Sequence, residues 1–272
     1  MKRALLIGIS IGGFLYEIKN IAELLISDYG YRKEDITILC DNGQYRLPTY
    51  QEIIKELNQI VKFSRGCDQI WIYYSGHGLI NGSIVTMDNN FITKHTIYNC
   101  INEIKCEACI LFDCCNSGLI GSQLEWTFDW DLNLLGNNPE NEHNELSKWN
   151  IIHNHSWKIM NPNIVFICSC HENESSKDIY DIKEDIHQGV FTTAFLNAMK
   201  KQRKISSRIH ILDLFCKICK EIYFELKVLD QTPTLHCSSS EPRFEFRKQK
   251  PPAPVRPSIM NNFRKLITRW MP

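Results

Sequence analysis

Strand-like and helix-like segments alternate through the first part of the chain, and this alternation restricts the fold more than any other feature. Short apolar runs rich in β-branched and aromatic residues occupy residues 4–9, 36–39 and 69–74. The segments between them, at 18–27 and from Tyr50 onward, carry apolar residues at the spacing of amphipathic helices. Because strands that alternate with helices form parallel sheets covered on both faces, the sequence predicts an α/β fold with a largely parallel central sheet.

The second helical segment has the clearest start signal. Thr49 and Glu52 have the Thr-x-x-Glu spacing of a capping box, in which two side chains satisfy backbone N–H groups of the first turn. An apolar stripe follows at helical spacing and consists of Ile53, Ile54, Leu57, Ile60 and Val61. The same patterns predict strands at 83–87, 108–112 and 164–168, and helices at 96–104, 191–199 and 211–226.

Composition argues against some functional classes. The 272 residues are 43% apolar and contain 31 Lys plus Arg against 31 Asp plus Glu, so the balanced charge gives no general attraction to nucleic acid. The 12 cysteines include an adjacent pair and several inside predicted strands, which is typical of a reduced, thiol-bearing protein rather than a disulfide scaffold. We therefore expect a cytoplasmic protein, with the nucleus as the alternative compartment.

The first residues imitate a secretion signal in one respect, since basic Lys2 and Arg3 precede an apolar stretch. They lack a small-x-small cleavage site before Tyr16, and residues 4–9 fit a first buried strand. We therefore expect that the protein is not secreted. No apolar run in the sequence reaches the length that spans a bilayer.

Two polar motifs follow directly after predicted strands. Ser75-Gly76-His77-Gly78 follows the run that ends at Tyr74, and Asp113-Cys114-Cys115-Asn116-Ser117-Gly118 follows the run that ends at Phe112. The carboxyl ends of neighbouring parallel strands meet at one edge of a sheet, where glycines let the backbone turn sharply beside a ligand. A thiol becomes a strong nucleophile when an imidazole takes its proton. The two motifs together therefore predict the Cys-His dyad of a cysteine peptidase.

With these motifs in this order, residues 1–245 resemble the metacaspases, cysteine peptidases related to caspases and paracaspases. The resemblance also rests on Ala4-Leu5-Leu6-Ile7-Gly8-Ile9, Tyr29-Gly30-Tyr31, Asp35-Ile36-Thr37-Ile38-Leu39, Pro48-Thr49, Gly189-Val190-Phe191-Thr192-Thr193-Ala194-Phe195 and Gln231-Thr232-Pro233. It implies a caspase-like three-layer α/β/α sandwich in a single peptidase domain. It also implies an endopeptidase that acts on protein or peptide substrates without a cofactor.

The resemblance assigns roles within the two motifs. The nucleophile is Cys115, the third residue of the Asp-x-Cys motif, and the base is His77. Strand alternation agrees, because Asp113 and Cys115 share one face while Cys114 faces the opposite way. The backbone N–H groups of Gly78 and Cys115 are expected to form the oxyanion hole.

Metacaspases cleave after Arg or Lys, which requires negative charge in the pocket for P1, the residue before the scissile bond. Asp113 and Ser75 keep two of the positions that line this pocket. Ile18 and Ile21 stand where the family has a cysteine and an acid, and Glu17 is a further source of charge. We expect cleavage after Arg or Lys, with Asp113 and Ser75 as substrate-binding residues.

Many metacaspases bind calcium through an acidic run after the histidine motif and an Asp-Asp pair farther on. Here His77 is followed by Gly78-Leu79-Ile80-Asn81-Gly82-Ser83, and Thr93-Lys94 occupies the place of the pair. Asp88 alone cannot form a site. The sequence therefore predicts calcium-independent activity and no metal site. Asn116 replaces the usual family histidine, a change that should tune activity rather than remove it.

Residues 119–163 are polar and rich in asparagine, and they predict an exposed loop. By resemblance to caspase-type enzymes, this loop joins a large-subunit-like part at 1–118 to a small-subunit-like part at 164–245. Lys148 and Lys158 are the candidate positions for processing cleavage within it.

Residues 246–272 are expected to form a tail outside the peptidase domain. The tail contains a Pro-rich linker and, at 259–271, a basic amphipathic helix. This segment is a docking element for a membrane surface or a protein, a helix packed on its own domain, or a frayed tail.

Three other interpretations fit parts of the sequence. Gly8-Ile9-Ser10-Ile11-Gly12 matches the Gly-x-Ser-x-Gly elbow of serine hydrolases, although too little chain precedes it for the strands that come before such an elbow. The Cys-x-x-Cys pairs formed by Cys106, Cys109, Cys216 and Cys219 suggest a zinc site, but they lie in an apolar strand and an amphipathic helix. The lost pocket acid and calcium ligands would also suit a catalytically inactive, caspase-like interaction module.

Overall fold

The apolar runs form strands and the amphipathic segments form helices in the computed structural model, which describes residues 1–9, 14–130, 149–154, 159–181 and 185–249. The strands are β1 (Lys2–Gly8), β2 (Ile36–Cys40), β3 (Gln69–Ser75), β4 (Ile84–Val85), β5 (Phe91–Ile92), β6 (Glu107–Asp113), β7 (Trp126–Trp130), β8 (Trp149–His153), β9 (Ile164–Cys168), β10 (Asp178–Asp181), β11 (Ile186–Gly189), β12 (Arg208–His210), β13 (Thr234–Cys237) and β14 (Glu245–Arg247). The helices are α1 (Phe14–Tyr29), α2 (Tyr50–Phe63), α3 (Lys94–Asn102), α4 (Gly118–Gly121), α5 (Val190–Gln202) and α6 (Ile211–Lys220).

The main sheet has eight strands within the described ranges, in the order β2-β1-β3-β6-β9-β13-β7-β8. The first five strands of this order run parallel to one another. β13, β7 and β8 then continue the sheet through antiparallel pairs. The predicted, largely parallel central sheet is therefore confirmed.

Helices cover both faces of this sheet. On one face, α1, α5 and α6 pack on strand residues such as Leu6, Trp71 and Leu111. On the other face, α2 and α3 pack on the alternate residues, among them Ile72 and Ile110. Both sets are buried, so the central strands are apolar on both faces, as a covered parallel sheet requires. The predicted three-layer α/β/α sandwich is confirmed.

Helix α2 begins where its sequence signal placed it. The Thr49 side-chain oxygen accepts a hydrogen bond from the Glu52 N–H at 3.4 Å, and Ile53, Leu57 and Ile60 are buried against the sheet. The helix predicted at 211–226 is shorter than expected. α6 ends at Lys220, and a π-helical turn follows over Glu221–Glu225.

Two strands of the main sheet lie inside the segment that was predicted to be an exposed loop. β7 pairs with β13 and β8 pairs with β7, so the loop prediction for 119–163 was wrong at these strands. The alternation of aromatic and polar residues in β7 was the available signal, because Phe128 and Trp130 are buried. The polar residues beyond β7 obscured it. Lys148 and Lys158, the predicted processing positions, lie outside the described residues.

The folded domain continues past its predicted end. β14 pairs with β12, and buried Phe246 packs on Tyr29 with ring centroids 5.7 Å apart. The Gln249 N–H donates to the carbonyl oxygen of Asp28 at 2.9 Å. The described fold therefore extends to Gln249, and the predicted helix at 259–271 lies outside the described residues. In the part of the chain that the structure describes, no helix has the length and apolar character to cross a membrane.

Helix α4 packs on β13 through Gly121, which lies against the His236 ring and leaves no room for a side chain. A Cβ on Gly121 would lie 2.1 Å from the His236 ring, which is buried and held by the Thr127 hydroxyl at 2.9 Å and the Thr234 hydroxyl at 2.8 Å. Since this ring cannot move without losing its hydrogen bonds, we expect Gly121→Ala to lower the free energy of unfolding by ~1–3 kcal/mol in chemical denaturation. Gly66→Ala is the control, because a Cβ there meets nothing within 4 Å. Equal stability of the two variants would contradict this packing argument.

Candidate active site

The candidate dyad residues follow two neighbouring parallel strands. β3 and β6 pair in a register that places Ser75 opposite Asp113. His77 and Cys115 therefore each lie two residues beyond a matched pair, at the same edge of the sheet. The Gly76 N–H donates to the carbonyl oxygen of Asp113 at 3.2 Å, so the two chains stay together after the strands end.

The loop that carries His77 is fixed by backbone contacts. The Tyr74 hydroxyl donates to the carbonyl oxygens of His77 at 2.9 Å and Val85 at 2.8 Å, and the Val85 N–H donates to the His77 carbonyl at 3.0 Å. Because only its backbone is used in these contacts, the exposed His77 side chain stays accessible to a partner.

Gly78 brings the histidine loop against the cysteine loop. A Cβ at Gly78 would lie 2.0 Å from the Cys115 carbonyl oxygen, so a side chain there would force the two loops apart. The Asn116 side-chain amide also approaches the Gly78 carbonyl oxygen at 3.5 Å. Asn116 has a φ of 58°, a left-handed conformation that asparagine tolerates better than most residues. This turn directs the chain from Cys115 into α4.

The two adjacent cysteines have different environments. Cys114 is buried in the apolar cluster with Ile110 and Phe112, on the face that strand alternation predicts for it. Burial raises the pKa of the Cys114 thiol well above its usual value. Cys115 is half-buried and therefore accessible to a substrate. Cys114 thus serves packing, whereas Cys115 has the exposure that a nucleophile needs.

Ser75 and Asp113 belong to a buried polar cluster, the acidic pocket, which consists of Glu17, Tyr73, Ser75, Asp113 and Thr192. Glu17 accepts hydrogen bonds from the Tyr73 hydroxyl at 2.9 Å and the Ser75 hydroxyl at 3.2 Å. Asp113 accepts from the Thr192 hydroxyl at 2.6 Å and from the Thr192 N–H at 3.2 Å. The first turn of α1, the ends of β3 and β6, and the first turn of α5 meet here.

Gly189 separates the two carboxylates. Its N–H donates to Glu17, and a Cβ at this position would lie 2.6 Å from Asp113 Oδ2 and 3.2 Å from Glu17 Oε1. A side chain would therefore collide with Asp113 and crowd Glu17. The N–H groups of Gly189 and Thr192 belong to the start of α5, where the helix dipole favours negative charge.

Burial changes the protonation of this pair. It raises the pKa of Glu17 to about 8, and the negative charge of Asp113 is the second cause of that rise. Burial also raises the pKa of Asp113, against the opposing hydrogen bonds from Ser176 and Thr192. Near neutral pH the pair therefore carries less than its full negative charge.

Sequence reasoning identified only part of the acidic pocket. Ile18 and Ile21 are fully buried in the apolar core, whereas Glu17, named as a further source of charge, lies beside Asp113. Tyr73 and Thr192 were not identified as site residues. For Thr192 the available signal was its place in the Gly-Val-Phe-Thr segment of the family resemblance, while Tyr73 looks like an ordinary strand aromatic.

The four cysteines of the two Cys-x-x-Cys pairs do not come together as a zinc site. Cys109, Cys216 and Cys219 are buried in the cluster beneath α1, α5 and α6, whereas Cys106 packs at the opposite face of the sheet. Within the described ranges, no group of three or more His, Cys, Asp or Glu side chains is arranged to hold a metal ion. Ser10 of the Gly-x-Ser-x-Gly segment lies outside the described residues.

Sequence comparison identifies relatives of this fold. The Peptidase C14 caspase domain matches residues 1–245. Metacaspase-1 of Debaryomyces hansenii is 30% identical over 144 residues, which are 43% of this chain and 33% of that protein. Metacaspase-7 of Arabidopsis thaliana is 29% identical over 140 residues, which are 43% of this chain and 35% of that protein. The matched stretch thus spans about a third of the length of these relatives.

Structural similarity extends over more of the chain. The crystal structure of caspase-1 from Spodoptera frugiperda matches with a TM-score of 0.58 and 13% identity, over 93% of this chain and 92% of that one. At this identity the likeness concerns the fold alone. Since the caspase domain matches nearly the whole described chain and the curated relatives above are metacaspases, the protein belongs to the caspase domain family.

Proposed function

We propose that the protein is a cysteine endopeptidase in which Cys115 is the nucleophile and His77 is the base. The observation that carries this proposal is the register of β3 and β6, since it starts both loops from the matched pair Ser75 and Asp113. Membership of the caspase domain family supports it independently.

In the proposed reaction, His77 takes the proton of the Cys115 thiol, and the thiolate attacks the carbonyl carbon of the scissile bond. Negative charge then develops on the carbonyl oxygen, and the N–H groups of Gly78 and Cys115 are the proposed donors to it. Among the described residues, neither N–H donates to another protein group. His77 next gives its proton to the leaving amine as the C–N bond breaks, and the acyl group stays on the Cys115 sulfur as a thioester. Water then hydrolyses this thioester, which releases the product acid and restores the thiol.

The proposed substrates are proteins or peptides with Arg or Lys at P1. Asp113 lies two residues before Cys115, and Ser75 lies two residues before His77, so the acidic pocket adjoins the proposed dyad. A cationic side chain gains most from a buried carboxylate, because the low local dielectric strengthens the ion pair. Asp113 and Ser75 are therefore the proposed substrate-binding residues.

The proposed activity does not require calcium. Thr93, at the place of the expected acid pair, caps α3 by accepting the Thr96 N–H at 3.2 Å. The Asp88 carboxylate accepts hydrogen bonds from the Tyr50 N–H at 2.9 Å, the Thr86 hydroxyl at 2.6 Å and the Asn90 side chain at 2.9 Å. This carboxylate is committed to a local turn, which supports calcium-independent activity.

Adjacent cysteines offer a matched test of the nucleophile. We expect Cys115→Ala to lower kcat/KM for peptide hydrolysis by at least about 10³-fold, and His77→Ala to do the same, because each removes half of the dyad. Cys114→Ala should keep activity within about threefold while lowering stability, since it removes only a buried packing group. Fluorogenic peptide assays and thermal melts on all three variants provide the measurement. Activity that survives Cys115→Ala would contradict the proposed mechanism. If the wild type is inactive and its Cys115 does not react with thiol-directed peptide probes, the result would favour an interaction module.

Specificity and calcium dependence are tested with matched peptides. We expect kcat/KM for P1-Arg and P1-Lys peptides to exceed that for the P1-Asp peptide by at least about 10²-fold, because Asp113 attracts the cations and repels the acid. Addition of calcium or of a chelator should leave these rates unchanged. Loss of activity in chelator, restored by calcium, would overturn the calcium proposal without affecting the assignment of the dyad.

A further inference from the structure

The two carboxylates of the acidic pocket have only neutral hydrogen-bond partners. Glu17 accepts from Tyr73, Ser75 and the Gly189 N–H, while Asp113 accepts from Ser176 and Thr192. Within the described ranges, no lysine or arginine forms an ion pair with either acid. Burying two carboxylates without a counter-ion is unfavourable, so the pair must either hold a proton or receive a cation.

A chain of oxygen contacts joins the two acids. Glu17 Oε2 lies 2.9 Å from the Tyr73 hydroxyl, which lies 2.8 Å from Thr192 Oγ1, which lies 2.6 Å from Asp113 Oδ2. Each of these three contacts needs one hydrogen, but the two hydroxyl groups provide only two. With both acids ionised, one contact would bring two oxygen atoms together without a hydrogen between them. All three contacts have a hydrogen only when one of the two carboxylates carries a proton.

We propose that Glu17 is a specificity-determining residue of the P1 pocket, and that the free pocket holds one proton which it releases to solvent when an Arg or Lys side chain enters. This inference rests on the proposed preference for Arg or Lys. Ile18 and Ile21 occupy the α1 positions where the family pattern has an acid and a cysteine, so the inference assigns the missing acid to the neighbouring Glu17. The entering cation replaces the proton as the positive charge between Glu17 and Asp113.

The protonation behaviour fits this exchange. The pKa of Glu17 is raised to about 8 by burial and by Asp113, so the free pocket is mainly protonated near neutral pH. The other titratable groups that face the pair are Tyr73 from β3 and Asp178 from β10, and neither brings positive charge. A bound cation lowers the pKa of the pair, so affinity for a basic P1 side chain should rise with pH up to about 8 and then level off.

Binding to a full-length Cys115→Ala protein tests the inference apart from catalysis. The ligands are two short peptides, one with Arg at P1 and one with citrulline, the neutral isostere of arginine. Titration calorimetry in buffers of different ionisation enthalpy gives the number of protons released. We expect the P1-Arg peptide to release about one proton near pH 7 and almost none at pH 9, while the citrulline peptide releases none at either pH.

Glu17→Gln in the Cys115→Ala background provides the matched variant. It keeps the side-chain size and should bind P1-Arg about tenfold more weakly, without proton release and with unchanged affinity for citrulline. Glu56→Gln is the control, since Glu56 is also a buried carboxylate but pairs with Arg46 on the opposite side of the sheet, at 2.7 Å. We expect it to change none of these values.

The outcomes separate the two proposals. Binding of P1-Arg without proton release, with Glu17 intact, would overturn the inference and leave the preference for Arg or Lys standing. This measurement does not depend on the folding of the Glu17 variant. Equal affinity for the Arg and citrulline peptides would overturn the basic preference and the inference with it. Proton release that persists in Glu17→Gln would place the proton on another group and would also overturn the inference.

Discussion

The parallel pairing of β3 with β6 is the constraint on which the candidate site depends. Ser75 opposes Asp113 in this register, and each residue also contributes to the acidic pocket. A slip of one residue would turn buried side chains to the opposite face. It would also shift the loop that carries His77 relative to the loop that carries Cys115. The apolar layers on both faces prevent such a slip, because residues 70–74 of β3 and 108–112 of β6 alternate between the two buried clusters. The core thus fixes the relative position of His77 and Cys115.

The acidic pocket is an exception to the apolar interior, and several weak interactions stabilise its buried carboxylates. Neutral donors from β3 and α5 satisfy the carboxylates of Glu17 and Asp113, and the start of α5 adds a favourable dipole. Such donors offset part of the cost of burial but do not supply a full positive charge. In the proposal, an entering cation supplies this charge, and the ion pair replaces a buried proton instead of a solvated carboxylate.

Sequence reasoning predicted the parts of the fold that repeat a local pattern. The strands that end at Ser75 and Asp113 have continuous apolar runs, and Thr49 marks the start of α2. Glu17 was harder to place, because helical periodicity leaves it at the border of the stripe formed by Ile18 and Ile21. Whether such a residue faces solvent or a buried pocket depends on how α1 packs against α5. This packing is a tertiary property that local sequence does not determine. The strands β7 and β8 were missed because polar residues follow β7 and because β13, the partner that joins β7 to the sheet, is distant in sequence.

Placing the dyad and the acidic pocket at the ends of the same two strands keeps two proton equilibria distinct. In the proposed reaction, the proton of the dyad moves between Cys115 and His77 during the chemical step, so it would act on kcat. In the proposed exchange, the proton of the pocket leaves when the P1 side chain enters, so it would act on substrate affinity. Asp113 belongs to the pocket and Cys115 to the dyad, only two residues apart. Cys114, between them, is buried in the apolar cluster that also contains Ile110 and Phe112, and in the proposed scheme the dyad and the pocket share no titrating group.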